Sequence, residues 1–286
     1  MTEILVLHTG GTIGMISGPD GLAPADGVVE AAVQNLLPDA VQATIHAFRP
    51  LVDSAEIGPV HWNRMIRLIA GFRGSGIVIT HGTDTMAYTG AALSHALAGI
   101  GIPVVLCGSM QPLNSGGDAE ANLELALEAV RQKATGIWLA FAGKLLPAAG
   151  LVKHDSHAAD AFRSTDQETP SVSFRPRCFA DLRLAILTIS PGLPSTALAA
   201  MLERLDGAVL RVFGAGTISS DPELQRVLAK AIGRGCRIRA VSQCETGGLE
   251  PGAYAAGASL WQTGVENGGT ETAEAALTRL WLDMSG

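Results

Sequence analysis

Apolar residues along the chain follow two rhythms, and the rhythms alternate. Short runs rich in β-branched residues fill 3–9, 44–51, 76–82, 103–109 and 136–143, a length and composition that predict strands. Between the runs, apolar residues return every three or four positions. In 118–133, Leu123, Ala126, Leu127 and Val130 stand at i, i+3, i+4 and i+7, which predicts a helix with one apolar face. The runs GIVIT and PVVLCG are hydrophobic throughout rather than alternating. Such strands are expected to be buried on both faces, and strands joined by helices are expected to run parallel.

The second half repeats the pattern on a smaller scale. Strands are predicted at 184–190, 207–213 and 237–244. The helices between them carry Leu198, Met201, Leu202 and Leu205, then Leu224, Val227, Leu228 and Ala231, at helical spacing. Ser220 or Asp221 is expected to cap the later helix, with Pro222 in its first turn and Gly235 at its end. Residues 164–181 (STDQETPSVSFRPRCFAD) hold neither rhythm, contain two prolines and read as a linker. The expected architecture is α/β: a larger N-terminal parallel-sheet domain (1–165) with helices on both faces, a linker (166–182), and a smaller C-terminal α/β domain (183–286).

Composition narrows the function. With 286 residues, 47% of them hydrophobic, the chain can bury a substantial core. A net charge of -7 opposes binding to a phosphate backbone, so nucleic acid is not an expected partner. No apolar run reaches the roughly 18 residues of a membrane span, and the chain passes directly into a strand-like run without a basic leader. A cytoplasmic protein without membrane association is expected. Cys107, Cys178, Cys236 and Cys244 are far apart with no CxxC pair, which fits reduced thiols better than a zinc site or a disulfide framework.

The chemistry concentrates behind two strands. HTGGTIGMISGPDGLAP (8–24) follows the first run, and THGTDT (80–85) follows GIVIT. Hydroxyls and glycines there fall at the carboxyl ends of parallel strands, where open α/β sheets bind ligands, and glycine lets backbone N–H groups approach closely. Threonine and glycine after a strand are also ordinary turn and cap residues, so either loop alone decides nothing. Neither is a phosphate loop, since GxGxxG and GK[ST] are absent.

Taken together the motifs resemble the bacterial-type L-asparaginase family, in particular its cytosolic, type I-like branch. The resemblance rests on TGGTIG (9–14), DSAE (53–56), HGTDTMAYT (81–89), CGSMQP (107–112) with GDAEANLELAL after it, VKHDSHAADAF (152–162) and AYAAG (253–257), in that order along nearly the whole chain. It implies that Thr12 is the nucleophile, that Thr83, Lys153 and Asp84 form a catalytic group, and that Gly11, Asp53, Ser54, Thr83 and Asp84 bind substrate. Ser54 would hold the α-carboxylate and Asp84 the α-amino group. It further implies hydrolysis of L-asparagine to L-aspartate and ammonia without a cofactor or metal, weak glutaminase activity, and assembly as a dimer or tetramer. Residue chemistry agrees: amide hydrolysis needs a nucleophile, a route for its proton and donors for the oxyanion. A lysine oriented by an aspartate can move that proton.

Each residue has a plainer reading. Ser54 could cap the helix carrying His61, Trp62 and Met65; Lys153 could be a solvated surface lysine. His81 reads as a structural hydrogen-bonding residue beneath its loop. His154 and His157, with Asp155 and Asp160, lack a further cluster to complete a metal site. Arg211 and Cys244 end strands of the C-terminal domain, where packing or an ordinary ion pair is the simpler role.

Two positions depart from the family pattern. Leu22 stands where a loop tyrosine that helps activate the first threonine is expected, and the only tyrosines are Tyr88 and Tyr254. Loss of a general base costs about 10² to 10⁴ in rate, or roughly 3 to 5 kcal/mol. Asp20 or Asp26, or the Thr83–Lys153–Asp84 group itself, are the alternatives, with Gly14, Gly18 and Gly21 as hinges of a closing loop. Ala55 replaces a residue that is polar in many members. These departures keep open an attenuated amino-acid-binding or sensor protein. The ammonia-supplying subunit of a tRNA-dependent amidotransferase shares the motifs, but acidic charge and the lack of an extra N-terminal module weigh against it.

Overall fold

The computed structural model describes residues 2–19, 21–132, 135–167, 172–252 and 255–286. They divide into two compact units, Met1–Cys178 and Phe179–Gly286. The larger holds strands β1 (Thr2–His8), β2 (Met15–Gly18), β3 (Gly21–Pro24), β4 (Val41–Ala47), β5 (Gly76–Thr80), β6 (Pro103–Cys107), β7 (Gly136–Phe141), β8 (Lys144–Pro147), β9 (Leu151–Lys153) and β10 (Phe162–Ser164). Its helices are α1 (Val28–Leu36), α2 (Pro59–Gly71), α3 (Met86–Ala96) and α4 (Ala119–Ala129).

The main sheet has the order β4-β1-β5-β6-β7-β8. Its first five strands are parallel, as continuous hydrophobicity predicts. Ile4, Val6, Val78 and Val105 meet Val29 and Val33 of α1 and Leu123, Ala126 and Leu127 of α4 in one core cluster. Their neighbours Leu5, Leu7, Ile77, Ile79 and Leu106 point to the other face by the period of two and are equally buried. α2 and α3 pack together, and α3 packs on β7.

Several elements differ from expectation. β8 is antiparallel to β7, joined to it across Ala142 (φ 49°) and Gly143 (φ 72°). So tight a turn returns the chain beside its own strand, and the run 136–143 gives no sign of it. β2 pairs with β3, and β9 with β10, as antiparallel ribbons too short for a periodic signal. β4 closes at Ala47 rather than Leu51, and Ser164, read as the start of the linker, belongs to β10.

The second unit carries β11 (Leu184–Thr188), β12 (Gly207–Val212), β13 (Arg237–Ser242) and β14 (Glu266–Asn267), with α5 (Ser195–Leu202), α6 (Pro222–Gly233), α7 (Ala255–Gln262) and α8 (Ala273–Asp283). Its sheet is parallel, in the order β11-β12-β13-β14. Asp221 caps α6, its carboxylate accepting from Glu223 N at 2.9 Å, and Pro222 follows it. Such a cap contributes about 1 kcal/mol. Gly235 stands past the helix end at φ 96°. Met201, assigned to the apolar face of α5, is instead exposed: Leu198 and Leu202, four apart, complete the buried stripe of this short helix, and Met201 falls at its edge. Among the described residues no helix is long and apolar enough to cross a membrane.

Candidate active site

Three loops meet at the carboxyl edge of the larger sheet, and glycines let them. Gly10 (φ 132°) and Gly11 (φ 91°) adopt backbone conformations that side chains rarely take. A Cβ at Gly10 would strike Val52 O, and one at Gly11 would strike Gly82 N. At Gly82 a Cβ would lie 2.6 Å from Ser54 Oγ. TGGT, DSAE and HGTDT are therefore in backbone contact. Hydrogen bonds fix the same junction: Thr9 N and Thr9 Oγ1 donate to Thr80 O at 3.1 and 2.8 Å, and Val52 N donates to Thr9 O at 2.8 Å.

Thr12 opens a short 3-10 turn, Thr12–Gly14, and is half-buried. Among the described residues its hydroxyl and its N–H have no hydrogen-bond partner. Thr83 is buried, and Lys153 of β9 reaches it: Nζ donates to Thr83 Oγ1 at 2.9 Å and to Asp84 Oδ1 at 2.7 Å. The Lys153 side chain is only 17% exposed, whereas that of Asp84 is 68% exposed. The ammonium is thus enclosed on the protein side while the carboxylate opens outward, so Lys153 is not a solvated surface lysine.

Ser54 is buried beneath Gly82, and its carbonyl accepts from Thr85 Oγ1 at 2.6 Å. It does not cap α2, whose N-cap is Gly58. It opens the turn Ser54–Glu56, capped by Asp53 through Ala55 N at 2.9 Å. Gly11, Thr12, Ser54, Thr83, Asp84 and Lys153 are thereby brought together; Asp53 is exposed and holds the turn that carries Ser54.

His81 is fully buried, and burial pushes its imidazole down to about 4, against a smaller upward pull from Gly82 O. Leu22 lies in β3, half-exposed and paired with Ser17 of β2. Asp26 pairs with Arg49 at 3.3 Å; Asp20 and Tyr254 fall outside the described residues, and Tyr88 lies in α3. Gly14 is no free hinge, because a Cβ there would lie 2.8 Å from His8 Cε1. Gly21 (φ 108°) has open space around it. Asp160 pairs with Lys144, and Asp155 accepts from His157 N and Ala158 N at 2.8 Å. Among the described residues no three His, Cys, Asp or Glu side chains are grouped to hold a metal ion.

Sequence reasoning missed two supports. The Asp118 carboxylate accepts from Met110 N and Gln111 N at 2.9 and 3.0 Å, and Asn122 Nδ2 donates to Gly108 O at 3.0 Å. Together they shape the loop after β6, where a Cβ at Gly108 would strike His81 O. The signal was the polar pair in GDAEAN, four residues apart on one helix face. The other is His8, whose Nδ1 lies 2.7 Å from Thr80 Oγ1, while Nε2 is buried and has no partner among the described residues. Burial lowers its pKa, opposed by Glu30 and Asp26. Its signal was a polar residue closing the apolar run ILVLH.

Comparison with known proteins finds relatives along nearly the whole chain. Residues 3–174 match the family model "Asparaginase, N-terminal" and residues 183–285 match "Glutaminase/Asparaginase C-terminal domain". L-asparaginase 1 of Escherichia coli K12 is 31% identical over 99% of this chain and 92% of its own length. An L-asparaginase of Thermococcus kodakarensis is 32% identical over 97% of this chain and 91% of its own. The crystal structure of L-asparaginase I from Vibrio cholerae superposes with a TM-score of 0.88 at 29% identity, covering 99% of this chain and 93% of the other. With both domain models matched in order and relatives aligned end to end, the chain belongs to the asparaginase family.

Proposed function

We propose that the protein hydrolyses L-asparagine to L-aspartate and ammonia. One observation carries the reading: Lys153 Nζ is shared between Thr83 Oγ1 and Asp84 Oδ1 on a loop in backbone contact with the loop of Thr12. In this reading Thr12 Oγ attacks the side-chain amide carbon. The negative charge on the carbonyl oxygen is met by N–H groups of Thr12 and Thr83, each such donor being worth about 10² to 10³ in rate. The C–N bond breaks, ammonia leaves with the proton given up by Thr12, and an ester to Thr12 remains. Water, oriented by Thr83 and Lys153, then splits the ester and restores the hydroxyl. Asp84 and Ser54 receive the α-amino and α-carboxylate groups, and Gly11 and Asp53 complete the substrate loops.

Leu22 takes the position of the expected phenol without offering a base. The proton route then runs through the substrate amide or the Thr83–Lys153 pair, and Leu22 contributes water exclusion when the β2–β3 ribbon covers the cleft. Glutamine would be a weaker substrate. The unpaired state of all four cysteines supports a reducing, cytoplasmic location, and family membership supports a dimer or tetramer. Residues 166–182 are assigned as the interdomain linker.

The test is ammonia release from L-asparagine by the purified protein beside Thr12→Ala. The expected result is turnover by the parent and a fall of at least about 10³ in the variant. Equal release by both would remove Thr12 as nucleophile. Undiminished asparagine binding with no release by either would favour the sensor reading.

A further inference from the structure

His81 touches neither Thr12 nor Lys153 in any hydrogen bond, yet it sits in a chain of bonds whose direction can be read. Its Nδ1 lies 2.7 Å from Gly82 O, its Nε2 lies 2.9 Å from Thr89 Oγ1, and Trp62 Nε1 donates to Thr89 Oγ1 at 3.0 Å. A carbonyl only accepts and an indole N–H only donates. Nδ1 must therefore carry the proton; in the neutral ring Nε2 is then bare and accepts from the Thr89 hydroxyl, and the order is Trp62 to Thr89 to His81 to Gly82 O. Burial holds the ring neutral, as this order requires.

The last acceptor matters most. Gly82 C=O and Thr83 N–H belong to one peptide unit, and among the described residues the only cis bond is Arg49–Pro50. In a trans peptide the two groups point in opposite directions. Because the His81 ring is fully buried, its bond turns Gly82 O into the fold, and Thr83 N–H must face away from it. Among the described residues that N–H makes no hydrogen bond, although Thr83 is buried. The backbone of His81 is itself held, His81 N donating to Cys107 O at 2.9 Å with Gly108 packed on its carbonyl.

We propose that His81 is a positioning residue: by donating from Nδ1 to Gly82 O it aims the Thr83 N–H at the oxyanion formed when Thr12 attacks. The proposal rests on the amidohydrolase reading above. Donors fixed in advance stabilise a transition state more than donors that must reorient, so losing the constraint lowers kcat more than it raises KM.

Three variants test it. His81→Leu removes the donor, His81→Asn places an amide N–H near the Nδ1 position, and Thr89→Val keeps the shape of Thr89 but breaks the relay. Expected are a fall in kcat of about 10² for His81→Leu, recovery to within about tenfold of the parent for His81→Asn, and an intermediate loss for Thr89→Val, all with KM within about threefold. A folded His81→Leu with parental kcat, or a His81→Asn no faster than His81→Leu, overturns the proposal. If His81→Leu does not fold, the other two variants decide, since a purely structural role predicts unchanged kcat in any folded variant. Imidazole ¹⁵N shifts of the parent give a readout independent of turnover: protonated Nδ1 with bare Nε2 is expected, and the opposite tautomer overturns the relay. No ammonia release from L-asparagine by the parent would sink the hydrolase reading and leave the tautomer result standing.

Discussion

Each unit carries one conspicuous set of charges, and the two sets are built differently. In the N-terminal unit Lys153 meets Asp84 at 2.7 Å, with the carboxylate largely open to water and the ammonium also bonded to the Thr83 hydroxyl. In the C-terminal unit Glu271, only 8% exposed, is held by Arg239 through bonds of 2.6 and 3.1 Å and by Arg279 at 3.0 Å. Glu266 joins Arg239 and Arg237 to the same network. The first pair leaves room for a ligand beside its charges. The second is closed on itself. Openness to a partner, more than the presence of charge, is what separates the two sets.

The sharpest break of this comparison is to remove one cation from the open set. Lys153→Met should lower kcat on L-asparagine by at least about 10³, roughly 4 kcal/mol of barrier. An ion pair whose carboxylate is this exposed adds at most about 1 kcal/mol to folding, so the unfolding temperature should move by about 3 °C or less. Steady-state kinetics and a thermal scan on one preparation check both halves. Near-parental kcat would exclude Lys153 from the reaction; a large fall in stability would make the pair structural, like its counterpart.

The converse change belongs in the closed set. Glu271→Ala leaves Arg239 enclosed without its main carboxylate, and breaking a buried pair from one side costs about 3 kcal/mol or more. Native-state hydrogen exchange at Val209 of β12 and Val78 of β5 reads the two units separately. The loss should fall on Val209, and kcat should stay within about twofold wherever the protein is folded. Equal protection in parent and variant would mean that the network contributes nothing beyond solvation.

Much of this contrast was legible in the sequence, and unevenly so. The parallel strands announced themselves because burial on both faces leaves continuous runs such as GIVIT, and Asp221–Pro222 marked the start of α6. TGGTI, HGTDT and Lys153 could be singled out because the side chains that the structure brings together there lie inside motifs. β8, β9 and β10 were missed because strands of three or four residues carry no period. His8, Asp118 and Asn122 were missed for another reason: their partners lie outside their own elements, the Thr80 hydroxyl for His8 and backbone groups of the loop after β6 for Asp118 and Asn122, and a polar residue satisfied in this way looks like any other polar residue. Met201 shows the opposite error, since an apolar residue at helical spacing need not be buried when two neighbours already fill the contact.

The smallest expected effect separates the units by pH. All seven histidines lie in the N-terminal unit. Burial holds His81 near 4, against an ordinary value of 6.5, and lowers His8 as well. Below pH 6.5 the unfolded chain takes up a proton that folded His81 refuses, so stability falls with pH until the folded value is reached. For His81 alone the loss between pH 6.5 and pH 5 is about 2 kcal/mol, and His8 adds in the same direction. Exchange at Val78, corrected for intrinsic rates, should therefore speed up over this window more than exchange at Val209, where no histidine contributes. His81→Asn should remove its share of that slope at Val78 and leave Val209 unchanged. A parallel response at both amides, or an undiminished slope in His81→Asn, would show that His81 takes up a proton inside the fold, and a doubly protonated ring could not accept from Thr89.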